Sequence, residues 1–156
     1  MARVARVVVP GLPHHVTQRG NRRQLTFFVD EDHEAYLDLL AEWCGYWRVA
    51  VWAYCLMPNH VHLILLPQTK DGLRRAIGEV HGRYTRRVNF RQGWRGHLCQ
   101  ERFASVVLDE RHLPAAIRYV ELNPVRGGLV EAPGGYRWSS AVSHLTGRDD
   151  AVISQL

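Results

Sequence analysis

Lysine is nearly absent from this chain: Lys70 is the only one among 20 basic residues. Arginine therefore carries almost all of the positive charge behind a net +5 and a pI near 9.5. Its planar fork matches phosphate oxygens and stacks on bases, although a GC-rich genome shifts composition the same way. Cysteine is also scarce. Cys44, Cys55 and Cys99 form no CxxC pair, which argues against a disulfide framework and for a reducing compartment; Cys44 and Cys55 sit in apolar patterns and read as small core residues. No apolar run is long enough to cross a membrane, and the arginines near the start precede no cleavage-site pattern, so a soluble, cytoplasmic protein is expected. Repeats and low-complexity tracts are missing as well. What remains is 156 residues with 46% hydrophobic content, enough for one packed domain over 1–145, with a tail over 146–156 as the only candidate for disorder. The excess of positive charge favours a polyanionic partner.

The periodicities alternate in type along the chain. His14 to Arg19 alternates as a strand does, and Gly20-Asn21-Arg22-Arg23 then forms a basic turn. From Asp30, the expected N-cap, Tyr36, Leu40, Trp43 and Trp47 recur at helical spacing. Val49 to Met57 and His60 to Leu66 read as strands joined by Pro58-Asn59, a link too tight for a parallel crossover, so they pair antiparallel. The second of them is apolar on both faces apart from its histidines, which predicts a central, covered position. Asp71 is placed to cap a second helix with the stripe Leu73, Ile77, Val80, Tyr84 and Val88. A fourth strand is expected over Phe103 to Leu108, and a third helix from about Arg111 to Leu122, stopping before Pro124. The first six elements have the order β-α-β-β-α-β, so the expected fold is α+β: a ferredoxin-like antiparallel sheet with helices packed on one face.

Two features carry chemistry. His60 and His62 stand two apart on a strand, on one face and roughly 6–7 Å from each other, where two imidazoles can close on one metal ion. Taken alone, a His-x-His is more often a surface pair, but burying two histidines at the start of an apolar strand without a purpose is costly. On the third helix, Leu113, Ala116, Ile117 and Val120 form the apolar stripe, while Tyr119 and Asn123 share one flank a single turn apart, with His112 two turns earlier. Asn123 then serves as a third ligand beside Tyr119, or Tyr119 is an edge residue and Asn123 merely ends the helix; the helix alone leaves both open. A phenol is a poor nucleophile at neutral pH. A divalent cation that polarises a phosphate would let one attack phosphorus and store the bond energy as phosphotyrosine.

Met57-Pro58-Asn59-His60-Val61-His62-Leu63-Ile64 resembles the His-hydrophobic-His signature of the HUH endonucleases, and Arg118 to Arg126, with Tyr119 and Asn123, resembles their tyrosine helix. His15 to Gln24, Gln100-Glu101-Arg102-Phe103 and Tyr136-Arg137-Trp138-Ser139-Ser140 are further matches. Together, over roughly 10 to 145, they resemble the single-tyrosine transposases, most closely the REP-associated ones. The resemblance implies a metal-dependent nickase and strand transferase acting on single-stranded or hairpin DNA. It implies His60, His62 and Asn123 as ligands of magnesium or manganese, Tyr119 as nucleophile, and a 5′-phosphotyrosine with a free 3′-hydroxyl as product. It leaves open a monomer or a homodimer, and a site completed in cis or in trans. Glu121 stands where relatives often have histidine, about 160° around the helix from the Tyr119 flank. Tyr84 is the other tyrosine one could consider, but it lies on a core stripe with no ligand one turn later.

DNA contacts are expected from Arg19, Arg22, Arg23, Arg83, Arg86, Arg87 and Arg102, tracking phosphates, and from Trp94, stacking on a base. The Arg22-Arg23 turn and the Arg86-Arg87 pair are favoured, while Phe103 and Trp138 are expected in the core. Two rivals share the same residues: a phosphodiesterase that uses the metal and water, and a hairpin-binding protein without activity.

Overall fold

The computed structural model describes residues 7–99 and 102–154. Gln100 and Glu101 of the fourth motif lie outside the described residues, as do 1–6, Gln155 and Leu156. The element order is β1 (His14–Arg19), α1 (Asp30–Tyr46), β2 (Val49–Met57), β3 (His60–Pro67), α2 (Gly72–Gln92), β4 (Ala104–Val107), α3 (Leu113–Glu121), α4 (Asn123–Arg126) and α5 (Ala141–Thr146). The four strands form one antiparallel sheet in the order β2-β3-β1-β4, the ferredoxin-like arrangement expected from the sequence. β3 is central, as its apolar character on both faces requires.

α1 and α2 pack on one face. Tyr36, Leu40 and Cys44 of α1 and Leu73, Ile77, Val80, Tyr84 and Val88 of α2 close a core with Val16, Leu63 and Leu65 of the sheet. α3 takes the opposite face, so the two-helix layer of the first six elements is joined by a third helix across the sheet. The outer edge of β2 is not left bare. Leu56 N–H donates to Trp138 O at 2.8 Å, Ser140 N–H to Tyr54 O at 3.0 Å and Ser154 N–H to Val51 O at 2.8 Å, so the chain after α4 covers an edge that would otherwise invite another strand. The tail from 146 thus carries hydrogen bonds to the sheet as far as Ser154, and Tyr54 Oη donates to Asp150 at 2.7 Å.

Three local expectations are corrected. Val29, not Asp30, is the N-cap of α1, and Asp32 caps this end by accepting Phe28 N–H at 3.0 Å and Val29 N–H at 3.3 Å. Only a carboxylate turned back from the third helical position reaches those donors. Asp71 stands at the N-cap of α2 but makes no side-chain capping bond. The third helix is shorter than expected, and the chain does not leave the helical path at Pro124. It breaks at Leu122 and restarts as α4 with Pro124 in its first turn, where the missing N–H costs nothing.

Candidate active site

On the sheet face away from α1 and α2, β3 presents His60, His62 and Ile64. β1 sets Arg19 opposite His60, Thr17 opposite His62 and His15 opposite Ile64, while β2 sets Met57 and Cys55 beside the two histidines. α3 lies across this face because its stripe, Leu113, Ala116, Ile117 and fully buried Val120, meets Ala53, Cys55, Met57 and Ile64. Ala53 and Cys55 are small, which lets the helix approach. Tyr119, beside Val120, therefore hangs over the histidines.

The resulting cluster is tight. The His62 ring is 5.0 Å from that of His60, 5.7 Å from that of Tyr119 and 5.2 Å from that of His15, which is itself 5.9 Å from Tyr119. His15 Nε2 lies 3.0 Å from His62 Nδ1. His60 Nδ1 lies 2.7 Å from Asn59 Oδ1, and the Asn123 side chain stands beside the His60 ring. The Arg126 guanidinium sits 4.2 Å from the Tyr119 ring centroid and donates from Nη2 to the Tyr119 carbonyl at 2.5 Å. Tyr119 itself is 49% exposed, so a substrate can reach it.

Electrostatics keep the imidazoles neutral. Burial, then the repulsion that a protonated His62 would meet from His60, His15, Arg19 and Arg126, push His62 down to about 3. Burial and Arg19 lower His60, against the Asn123 side chain, and burial lowers His15. Neutral imidazole is the form that binds metal. With both Nδ1 atoms engaged, each of His60 and His62 keeps its other ring nitrogen for a ligand. Among the described residues no three His, Cys, Asp or Glu side chains form a metal-binding group; His15 spends its Nε2 on His62, and Asn123 is the side chain beside His60 that could add an oxygen. Two imidazoles and the Asn123 oxygen would make a neutral donor set, whose chemistry fits a divalent ion that must also accept phosphate oxygens.

The residues expected to touch DNA divide into two groups. Arg19 lies on the histidine face. Arg22 and Arg23 form an exposed 3-10 turn just beyond β1 with φ of 55° and 59°. Two successive left-handed non-glycine residues are strained, and this pair is held by Gly20 N–H on Asn59 O at 2.8 Å and Asn21 N–H on Leu98 O at 2.7 Å. Gly20 is required here, because a Cβ would stand 2.3 Å from Gln24 O. Arg83, Arg86 and Arg87, in contrast, sit on α2, across the sheet from the histidines. Arg83 pairs with Glu79 at 2.9 Å and covers Trp43, and Arg87 lies 3.7 Å from Asp32. Arg86 and Arg102 line a groove of about 530 Å³ between α2 and the segment after it. Trp94 is exposed, with one edge against Phe28 at 5.7 Å. Phe103 and Trp138 are in the core as expected. Tyr84 is buried and donates to Thr26 O at 2.5 Å, which removes it from any solvent-facing chemistry. His112 precedes α3, exposed and bonded to Asp109.

The roles of two residues escaped the sequence reading. His15 is in phase with Thr17 and Arg19 on β1, but only the register with β3 brings it to His62. Arg126 is seven residues from Tyr119, two turns along the same flank, a spacing that was available. Glu121, which the helix geometry turned away from the Tyr119 flank, accepts from Ser140 Oγ at 2.5 Å and lies 2.6 Å from His144 Nδ1, so it ties the tyrosine helix to α5 on the side away from the site.

Residues 9–123 match the family model described as "Transposase IS200 like". A curated Haemophilus influenzae protein named for the REP-associated tyrosine transposases is 27% identical over 136 residues, which cover 80% of this chain and 75% of that protein. In fold, the chain is similar to a REP-associated tyrosine transposase solved bound to a REP hairpin, with TM-score 0.78 and 18% identity over 100% of this chain and 93% of that one. It is also similar to a Deinococcus radiodurans R1 chain described as a transposase, with TM-score 0.51 and 23% identity over 76% and 94%. Among the described residues no helix is long and apolar enough to cross a membrane.

Proposed function

Because the chain belongs to the IS200-like transposase family, we propose that it nicks and rejoins single-stranded DNA beside a hairpin, through a covalent bond to Tyr119. The observation that carries this reading is the convergence of the Tyr119 ring on His62 at 5.7 Å, with the His60 ring 5.0 Å from that of His62. Tyr119 Oη attacks phosphorus and the bond from phosphorus to the 3′-oxygen breaks. The product is a 5′-phosphotyrosine and a 3′-hydroxyl, with the phenolic proton passing to the solvent that Tyr119 faces. Attack by a 3′-hydroxyl on the phosphotyrosine reverses these bonds and joins a strand. His60, His62 and Asn123 would hold a divalent metal, which when bound polarises the scissile phosphate and offsets its developing charge. Arg126 fixes the Tyr119 ring by stacking on it, and His15 fixes the His62 ring through Nδ1, the partner-orients-ligand arrangement common at metal sites. A hairpin substrate is favoured by the REP hairpin on the similar solved structure.

The test is incubation of the protein with hairpin-flanked single-stranded oligonucleotide and manganese, followed by a denaturing protein gel. A shifted, DNA-bearing band is expected. Cleavage without that band would mean that water is the nucleophile, and binding without cleavage in any divalent metal would mean an inactive DNA-binding protein. His60→Ala removes a ligand itself, so it should lower manganese affinity by more than the about 10–100-fold that loss of an outer-shell partner costs and remove the band with it. The exposed turn supplies a second expectation: Arg22→Gln combined with Arg23→Gln should weaken hairpin binding and reduce the slope of log affinity on log salt by about one to two. An unchanged slope would remove the turn from the DNA surface.

A further inference from the structure

Asn59 stands between two parts of the site that the chemistry above leaves separate. Its Oδ1 lies 2.7 Å from His60 Nδ1, and its Nδ2 donates to Arg23 O at 3.4 Å. These bonds are not independent. A backbone carbonyl can only accept, so Arg23 O fixes which end of the Asn59 amide faces it, and Oδ1 is thereby turned to His60. An oxygen there requires the hydrogen on His60 Nδ1, and that tautomer leaves the lone pair on Nε2. The left-handed Arg22-Arg23 turn thus sets, through one amide, which nitrogen of His60 can bind a metal. The backbone makes the link stiff. Gly20 N–H binds Asn59 O, and Thr26 and Phe27 N–H both bind Pro58 O, at 2.9 and 3.3 Å, so the loop over 20–27 grips the 58–59 turn and the two move together.

We propose that Asn59 is a positioning residue that couples DNA on the Arg22-Arg23 turn to metal on His60: DNA that orders the strained turn tightens metal binding, and metal tightens DNA binding by the same factor. This rests on the function proposed above. The turn already carries backbone strain in the free protein, the condition under which a phosphate ligand has a conformation to select.

The experiment measures manganese affinity by electron paramagnetic resonance, with and without a hairpin oligonucleotide bearing an uncharged methylphosphonate where the wild-type protein cuts, so that no scissile charge contacts the metal. Wild type should bind manganese about 5-fold or more tightly with the hairpin present. Asn59→Ala should lose about 10–100-fold in manganese affinity and show no hairpin effect. Asn59→Asp keeps an acceptor for His60 but cannot donate to Arg23 O. It should hold manganese at least as well as wild type, because a carboxylate on Nδ1 raises the basicity of the ring, and still show no hairpin effect, a split that a purely structural role would not produce. A hairpin effect surviving in Asn59→Asp, its absence in wild type, or wild-type manganese affinity in Asn59→Ala would overturn the coupling. Manganese binding that is absent in wild type or unaffected by His60→Ala would overturn the function itself.

Discussion

Tyr119→Phe is expected to abolish the covalent DNA adduct and to lower cleavage by about 10⁴-fold or more, the scale on which loss of a nucleophile acts, while hairpin affinity and manganese binding stay as in wild type. The substitution removes one oxygen. The ring remains, and with it the edge contacts to His15 and His62 and the face offered to Arg126, so α3 has no reason to shift from Ala53 and Cys55 beneath it. Folding is likewise insulated, because the buried member of this helix is the adjacent Val120 and a half-exposed hydroxyl leaves no unsatisfied partner behind. The measurement is a denaturing gel with labelled oligonucleotide, alongside a binding titration. An adduct retained by the phenylalanine variant would sink the assignment. Tyr84 would then be a poor replacement, since its hydroxyl is buried on the Thr26 carbonyl and burial holds its phenol well above the ordinary range.

Which parts were legible follows from what each residue depends on. The sheet could be read because strand and helix periodicities are local, and because the Pro58-Asn59 link leaves β2 and β3 no choice but to pair antiparallel. His60, His62, Tyr119 and Asn123 could be singled out because spacing of two on a strand and four on a helix places each pair on one side. That α3 would cross the histidine face was not contained in either spacing. It depends on the small side chains Ala53 and Cys55 meeting Val120, a match between elements some sixty residues apart. His15 was hidden for the same reason, since its partnership with His62 exists only in the β1–β3 register. The arginines of α2 could be read from the sequence only as a group. A run of basic residues looks uniform in sequence, but Arg83 is engaged by Glu79 and Trp43, and Arg91 by Asp32, each through a tertiary or one-turn neighbour that the run does not announce.

Asp32 is where that engagement matters most for stability. Its side chain is fully buried, yet it carries a charge that four donors share: Phe28 and Val29 N–H at the start of α1, and both terminal nitrogens of Arg91 on α2, Nη2 at 2.8 Å and Nη1 in an even closer bond. One carboxylate thus caps one helix and clamps the end of the other over the core. Asp32→Ala should cost about 3 kcal/mol, from a lost cap and a lost charge-assisted pair, and lower Tm by roughly 6–12 °C in a chain of this size. Arg91 is 36% exposed and can turn to water, which keeps the loss below that of an ion left stranded in the interior. The pH dependence has a definite sign. Burial alone would raise the Asp32 pKa, but the Arg91 hydrogen bond, the backbone donors and the Arg91 charge outweigh it and hold the carboxyl below its ordinary value of 3.8. A pKa lower in the folded than in the unfolded chain means stability that is complete above the unfolded value and drains away as pH falls through the folded one. Denaturant unfolding between pH 6 and pH 2 (about the range spanning both states) should show this loss in wild type, and a smaller one in Asp32→Asn, which keeps an acceptor for the backbone but has no proton to take up. Equal acid sensitivity in the two proteins would mean that Asp32 is not the group whose protonation opens the clamp between α1 and α2.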